Sequence, residues 1–300
     1  MRTNSFPVPQ SDRSLTILAW VVTLLVSTLS DIFFDKLAGG IPAWLTDAKL
    51  GLLLVLILAC FFWKFLRPLY NFLLVMFAFF TLFELLPLVN FNLPGLQALF
   101  GNTVFDARMQ AEQVGKLAVS IAMILVLLWL GRGRLDLFLR GGNLRAPIEP
   151  VRVLGFPKPE PWTKFGLLWG FCISGALAVV FYFGARPGGA TLLKVLPILP
   201  SIIFYAVLNS FNEEITFRVP MLATLEPVGG SRQALWISAF FFGIAHYFGT
   251  PGGILGGILS IFMGWILGKA MLETRGLFWS WWIHFLSDVV IFFFLVVALV

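Results

Sequence analysis

The stretch Leu277-Phe-Trp-Ser-Trp-Trp-Ile-His284-Phe-Leu-Ser-Asp288-Val-Val-Ile-Phe-Phe-Phe-Leu-Val-Val-Ala-Leu299 decides the fold. It is almost continuously apolar and longer than the roughly 20 residues an α-helix needs to cross a hydrocarbon core. It lacks the alternation of a transmembrane β-strand. Its two ionisable side chains, His284 and Asp288, are four residues apart and share one helical face. Each such group at membrane depth costs on the order of 2.5–3.5 kcal/mol on insertion scales, so it persists mainly where it works or pairs.

The same pattern recurs upstream. Hydrophobic residues make up 59% of the 300-residue chain and charged residues 12%, a balance far from that of a soluble domain. Spans are expected at about 15–34, 50–66, 69–90, 116–131, 165–185, 201–225, 232–248, 253–272 and 277–299. The fold class is therefore an all-α, polytopic transmembrane bundle of about eight or nine spans. With nine spans and a cytoplasmic N-terminus, 15 of the 21 lysines and arginines fall inside and six outside. That agrees with the positive-inside rule. The net charge of +6 is thus a topology signal, and no nucleic-acid partner is expected. Cys60 and Cys172 lie in apolar runs and imply no disulfide framework. The run from Leu15 to Phe34 is too long for a typical signal peptide and reads as a retained first span.

Only two histidines occur in the chain. His246 closes Phe242-Gly-Ile-Ala-His246, and His284 opens His284-Phe-Leu-Ser-Asp288. A third polar cluster, Asn212-Glu213-Glu214-Ile-Thr-Phe-Arg218, ends another apolar run. Glu214 and Arg218 have the favourable acid-first i,i+4 order for an ion pair. Glu213 points about 100° away from Glu214, so the two acids are expected to face different surroundings. Asn209, one turn earlier, can hydrogen-bond Glu213. Asp288 can orient the His284 ring. Measured from the turns at 226–231 and 273–276, Glu213 lies at a depth of about 18 Å, His246 about 22 Å, His284 about 12 Å and Asp288 about 18 Å. One shared polar site is expected. Gly252, Gly256, Ser260, Gly264 and Gly268 recur every four residues and read as a helix-packing stripe.

Glu213-Glu214-x-x-x-Arg218, Phe242-x-x-x-His246 and His284-x-x-x-Asp288, in this order, resemble the CPBP family. That family groups the CAAX prenyl endopeptidases with bacterial bacteriocin-processing and immunity membrane proteins, the Abi group. The resemblance runs from about Ser201 to Val290. It implies an endopeptidase that hydrolyses a peptide bond within or at the membrane. In that scheme Glu213 is the general base, activating water together with His246. His284 and Asp288 stabilise the oxyanion or hold the substrate carbonyl, and Glu214 and Arg218 support Glu213. The prenyl endopeptidases end the last motif in Asn, where this chain has Asp288. An ionised Asp cannot donate a hydrogen bond, which favours orientation of His284 over direct oxyanion contact.

Members of the family have been described both as metalloproteases and as metal-free glutamate proteases. A zinc ion could use Glu213, His246 and His284 with an open position. No His-Glu-x-x-His helix is present, and a metal on Glu213 would remove the base, so no obligatory cofactor is expected. The division expected is accessory spans over 1–131, a basic cytoplasmic loop over 132–164, and a catalytic unit over 165–300. The loop carries seven basic residues and five prolines over Gly131–Lys164 and reads as a topology determinant with solvated charges. The expected setting is the plasma membrane of a prokaryote, and the expected partner is a membrane-associated peptide or protein, with a CAAX-like or sorting-type tail as one form. The sequence does not specify an oligomeric state. Two rivals remain: a non-enzymatic immunity or scaffold protein retaining the fold, and a transporter using the polar centre as a proton relay. A transporter would show pseudo-symmetric halves, whereas the polar residues here lie in one half.

Overall fold

The computed structural model describes residues 12–93, 95, 98 and 103–300. Residues 1–11, ahead of the first expected span, and part of the stretch between the expected spans 69–90 and 116–131 lie outside the described residues. The described residues are mostly helical, and no β-strand occurs among them. The helices are α1 (Arg13–Val26), α2 (Thr28–Ala38), α3 (Leu45–Phe62), α4 (Tyr70–Leu85), α5 (Val104–Trp129), α6 (Trp162–Ala185), α7 (Gly189–Val195), α8 (Leu199–Glu213), α9 (Val219–Ala245), α10 (Gly253–Thr274) and α11 (Phe278–Val297). A π-helical turn, Glu214–Arg218, joins α8 to α9.

Seven helical segments are long and apolar enough to cross a membrane, or eight if the bent pair α1 and α2 counts as one span. One of the seven, Gly189–Phe248, is 60 residues long. At 1.5 Å per residue a straight helix of that length would measure about 90 Å, some three times the ~30 Å hydrocarbon core. It therefore holds more than one span. The non-helical residue inside it, Gly230 (φ 78°, ψ 165°), falls within the turn expected at 226–231. Only glycine adopts that backbone without a Cβ penalty.

The start of the fourth expected span is corrected. The helix assigned to 116–131 starts twelve residues earlier, at Val104. Its first turn is closed by a reciprocal cap: Asp106 N donates to Thr103 Oγ1 (3.0 Å), and Thr103 N donates to Asp106 Oδ2 (3.3 Å). Such a box satisfies donors that a helix start otherwise leaves open.

The chain separates into two compact units, each assembled from distant segments. The first holds the chain up to Glu84, Met123–Leu137 and Phe217–Gly268. Within it, α9 packs on α10 through small residues. A Cβ on Gly243 would come within 2.3 Å of the Ile261 backbone nitrogen, and one on Gly264 within 3.2 Å of the Ala239 carbonyl. The glycine stripe of α10 thus divides. Gly264 and Gly268 face α9, while Gly256 faces the carbonyl of Pro251 in its own preceding loop.

The second unit holds Leu85–Ala122, Phe138–Thr216 and Lys269–Val300. Here α11 packs against α6 and α8. Gly166 of α6 leaves room for the Trp279 ring, which would lie 2.3 Å from any Cβ placed there. Phe105, Tyr205 and Phe292 form an edge-to-face cluster with centroids 6.0 Å apart. The basic segment is not merely solvated. Asn143 N donates to Thr274 O (2.8 Å), Leu277 N to Arg140 O (2.8 Å) and Trp279 Nε1 to Leu144 O (3.1 Å). Its own Phe138, Ile148 and Phe156 are buried. It clamps the corner that starts α11, the helix carrying His284.

Candidate active site

Glu213, the last residue of α8, and Glu214, the first of the π-helical turn, address one imidazole. His284 Nδ1 lies 2.7 Å from Glu214 Oε1, and His284 Nε2 lies 3.5 Å from Glu213 Oε2. Ser280, one turn before His284, donates to the other oxygen of Glu214. Consecutive helical side chains diverge by about 100°, and the ring occupies the wedge between them. The expectation that the two acids face different surroundings is therefore corrected: they flank the same ring. Glu214 has both carboxylate oxygens engaged from α11 and is fully buried.

Asp288 stands 3.7 Å from His284 Nε2, beyond hydrogen-bond length. The bond that fixes the His284 ring comes from Glu214 rather than from Asp288. Asp288 Oδ2 instead accepts from Asn209 Nδ2 at 3.0 Å. Asn209, expected to bond Glu213, joins it through a third party. Its Oδ1 accepts from Lys116 Nζ (2.9 Å), and the same ammonium lies 3.2 Å from Glu213 Oε1.

Lys116 belongs to α5, a helix grouped with the accessory spans from the sequence. Three more α5 contacts join the cluster. Gln113 Nε2 donates to Asn209 Oδ1 (2.8 Å), Asn212 Nδ2 donates to the Gln113 carbonyl (3.0 Å), and Ser120 Oγ reaches the Asn212 carbonyl (3.1 Å). Ser120 Oγ also lies 3.0 Å from Thr216 Oγ1. These partners stand 92 to 99 residues apart in sequence, and sequence reasoning missed them. A signal was present. Asp106, Gln110, Gln113 and Ser120 recur at helical spacing and are all buried, a polar stripe turned inward.

The second motif is held in the first unit. His246 Nδ1 lies 2.9 Å from the Phe242 carbonyl. A carbonyl oxygen only accepts, so Nδ1 carries the hydrogen, and in the neutral ring the lone pair is on Nε2. The Phe242 and His246 rings lie 4.3 Å apart. Arg218, fully buried, sets its guanidinium carbon 4.0 Å from the Phe242 ring centroid, a cation–π arrangement. The structure thus gathers Glu213, Glu214, His284, Asp288 and Asn209 in one unit, and Arg218, Phe242 and His246 in the other.

Among the described residues no group of three or more His, Cys, Asp or Glu side chains is disposed to hold a metal ion. The second unit gives a reason. The Lys116 ammonium sits on Glu213 Oε1, where a divalent cation would face a like charge, and Glu214 takes His284 Nδ1. No step below uses a metal.

Fold and cluster together define an integral membrane protein of apolar helices with buried carboxylates around an imidazole. Residues 195–290 match the Rce1-like family model, described as type II CAAX prenyl endopeptidase Rce1-like. The match covers about a third of the chain and contains all three motifs. The resemblance read from the motifs is borne out over that segment, which supports CAAX-type protease activity on a peptide substrate at the membrane. No curated protein and no solved structure matches the chain.

Proposed function

We propose that this protein is an intramembrane endopeptidase that hydrolyses a peptide bond of a membrane-associated protein or peptide. A C-terminal tail of CAAX-like or sorting type is the substrate form favoured. Glu213 acts as general base. It takes a proton from the attacking water as the new C–O bond forms, and returns it to the leaving amine as the C–N bond breaks. With Nδ1–H given to Glu214, His284 as the imidazolium carries a second N–H at Nε2 for the carbonyl oxygen, where a donor placed on developing charge is worth most. Asp288 and Asn209 hold the side of the site next to that ring. His246 shares in activating the water through Nε2, the role the resemblance gives it. Glu214 and Arg218 support these groups.

The observation that carries this reading is His284 flanked by Glu213 and Glu214 among apolar helices. Buried acids are expensive at membrane depth. A scaffold or immunity protein has no use for two on one ring. The proposed setting is a prokaryotic plasma membrane with the N-terminus cytoplasmic. The reading is tested by comparing protein and peptide termini in membranes of cells carrying wild-type or Glu213→Gln protein at equal expression. Precursors accumulating only with the variant are expected. Identical profiles, with a phenotype on removing the whole protein, would move the function to the immunity or scaffold alternative.

A further inference from the structure

We infer that Lys116, on a helix upstream of the matched segment, is a positioning residue that holds the Glu213 carboxylate in its working orientation. The inference rests on the hydrolytic reading of Glu213. Its geometry is independent of the motif. Lys116 Nζ lies 3.0 Å from Glu112 Oε1, 2.9 Å from Asn209 Oδ1 and 3.2 Å from Glu213 Oε1. An ammonium has three hydrogens and no acceptor, so three acceptors use its full capacity. Lys116 has no donor left for a substrate, which separates positioning from recognition.

The consequence for the base is directional. Lys116 takes Oε1 of Glu213, which leaves Oε2 on the side of His284 Nε2 at 3.5 Å. Lys116 also fixes Asn209 through Oδ1, with Gln113 as a second donor, so the Asn209 amide must turn its NH2 toward Asp288. One cation thereby sets the orientation of Glu213 and of the Asn209–Asp288 pair. Charge-assisted bonds are the strong members of such a network. Gln113, Lys116 and Ser120, spaced three and four apart, form one face of α5. The working unit of the protein then begins at α5 and not at residue 165.

The test uses full-length protein purified in detergent, with Lys116→Met, Lys116→Arg and Lys116→Gln variants. The first readout needs no substrate. A hydrophobic carbodiimide modifies carboxyls in apolar surroundings that lack a cationic partner, and adducts at Glu213 are counted by mass spectrometry. Several-fold more adduct is expected in Lys116→Met and near wild-type labelling in Lys116→Arg. Lys116→Gln replaces Lys116→Met if the latter does not yield folded protein. Unchanged labelling overturns the inference. The second readout is kinetic, on a precursor that accumulates with Glu213→Gln. Loss of a charge-assisted bond should lower kcat about 3- to 20-fold, with KM little changed and partial rescue by Lys116→Arg. A raised KM with unchanged kcat would make Lys116 a substrate contact and overturn positioning. If labelling responds while Glu213→Gln accumulates no precursor, the protease reading fails and the Lys116–Glu213 contact stands.

Discussion

Replacing Glu214 separates the support of the His284 ring from the presence of charge. Glu214 is fully buried and accepts hydrogen bonds from His284 Nδ1 and Ser280 Oγ. Glu214→Leu removes the acceptors of His284 Nδ1 and of Ser280 Oγ. Hydrogen bonds to charged groups in soluble proteins contribute about 1.5–3 kcal/mol each. Between membrane helices the average is nearer 0.6 kcal/mol, with a maximum of about 1.7. The lower scale applies here, giving roughly 1–3 kcal/mol for the two bonds together. Leucine regains little by burial, because lipid tails are as apolar as the side chain. If that energy holds the ring in place, cleavage falls about 5- to 150-fold. Glu214→Gln keeps an acceptor for Nδ1, and the Ser280 hydroxyl can turn to accept from the new amide. Its cost should be a small fraction of that of Glu214→Leu. The assay is thermal unfolding in detergent beside cleavage of an accumulated precursor, for both variants. Equal damage by Gln and Leu would show that charge matters and ring support does not. Wild-type behaviour of Glu214→Leu would refute the arrangement around His284.

Further outcomes follow from packing and charge. Gly243→Ala should destabilise the protein by about 1–3 kcal/mol, read as a lower unfolding temperature, because its Cβ meets Ile261 backbone atoms that cannot move aside. Lys269 is 4% exposed and pairs with Glu273, which also accepts from Trp162 Nε1 at 2.7 Å. Glu273→Leu takes the nearer carboxylate from that cation, leaving Glu149 at 3.8 Å, and should lower the unfolding temperature, whereas Lys269→Met, which removes the cation itself, should unfold at a higher temperature than Glu273→Leu. Treatment with a strong chelator, followed by gel filtration, should leave the rate of precursor cleavage unchanged. Loss of activity restored by zinc would show that the Lys116–Glu213 contact gives way to a metal.

The apolar spans were legible because membrane length and composition leave little choice for the backbone. The break in the long segment was legible from Pro227, Gly229 and Gly230, and the structure places it at Gly230. Motif spacing correctly put His284 and Asp288 on one face, yet could not tell which carboxylate would bond the ring. That depends on how α8 and α11 pack, and Glu214 reaches Nδ1 first. The polar face of α5 was hidden for a different reason. Asp106, Arg108, Gln110, Glu112 and Gln113 look like an aqueous loop in composition, while three of them are buried in a helix. Hydropathy reads polarity as exposure, so an inward polar stripe escapes it. The basic segment hid its docking similarly. Its arginines suggested solvent, but its backbone carbonyls and Phe138, Ile148 and Phe156 hold the corner before α11.

The central claim is that the Glu213–His284 cluster hydrolyses a peptide bond directly. The most direct measurement incubates purified wild-type protein with a precursor that accumulates in Glu213→Gln membranes, in water enriched in oxygen-18. The account predicts cleavage at one bond, a single heavy oxygen in the new carboxyl group, and no cleavage by the Glu213→Gln protein. A precursor left intact by the purified wild-type protein, or cleaved equally by the variant, would contradict it.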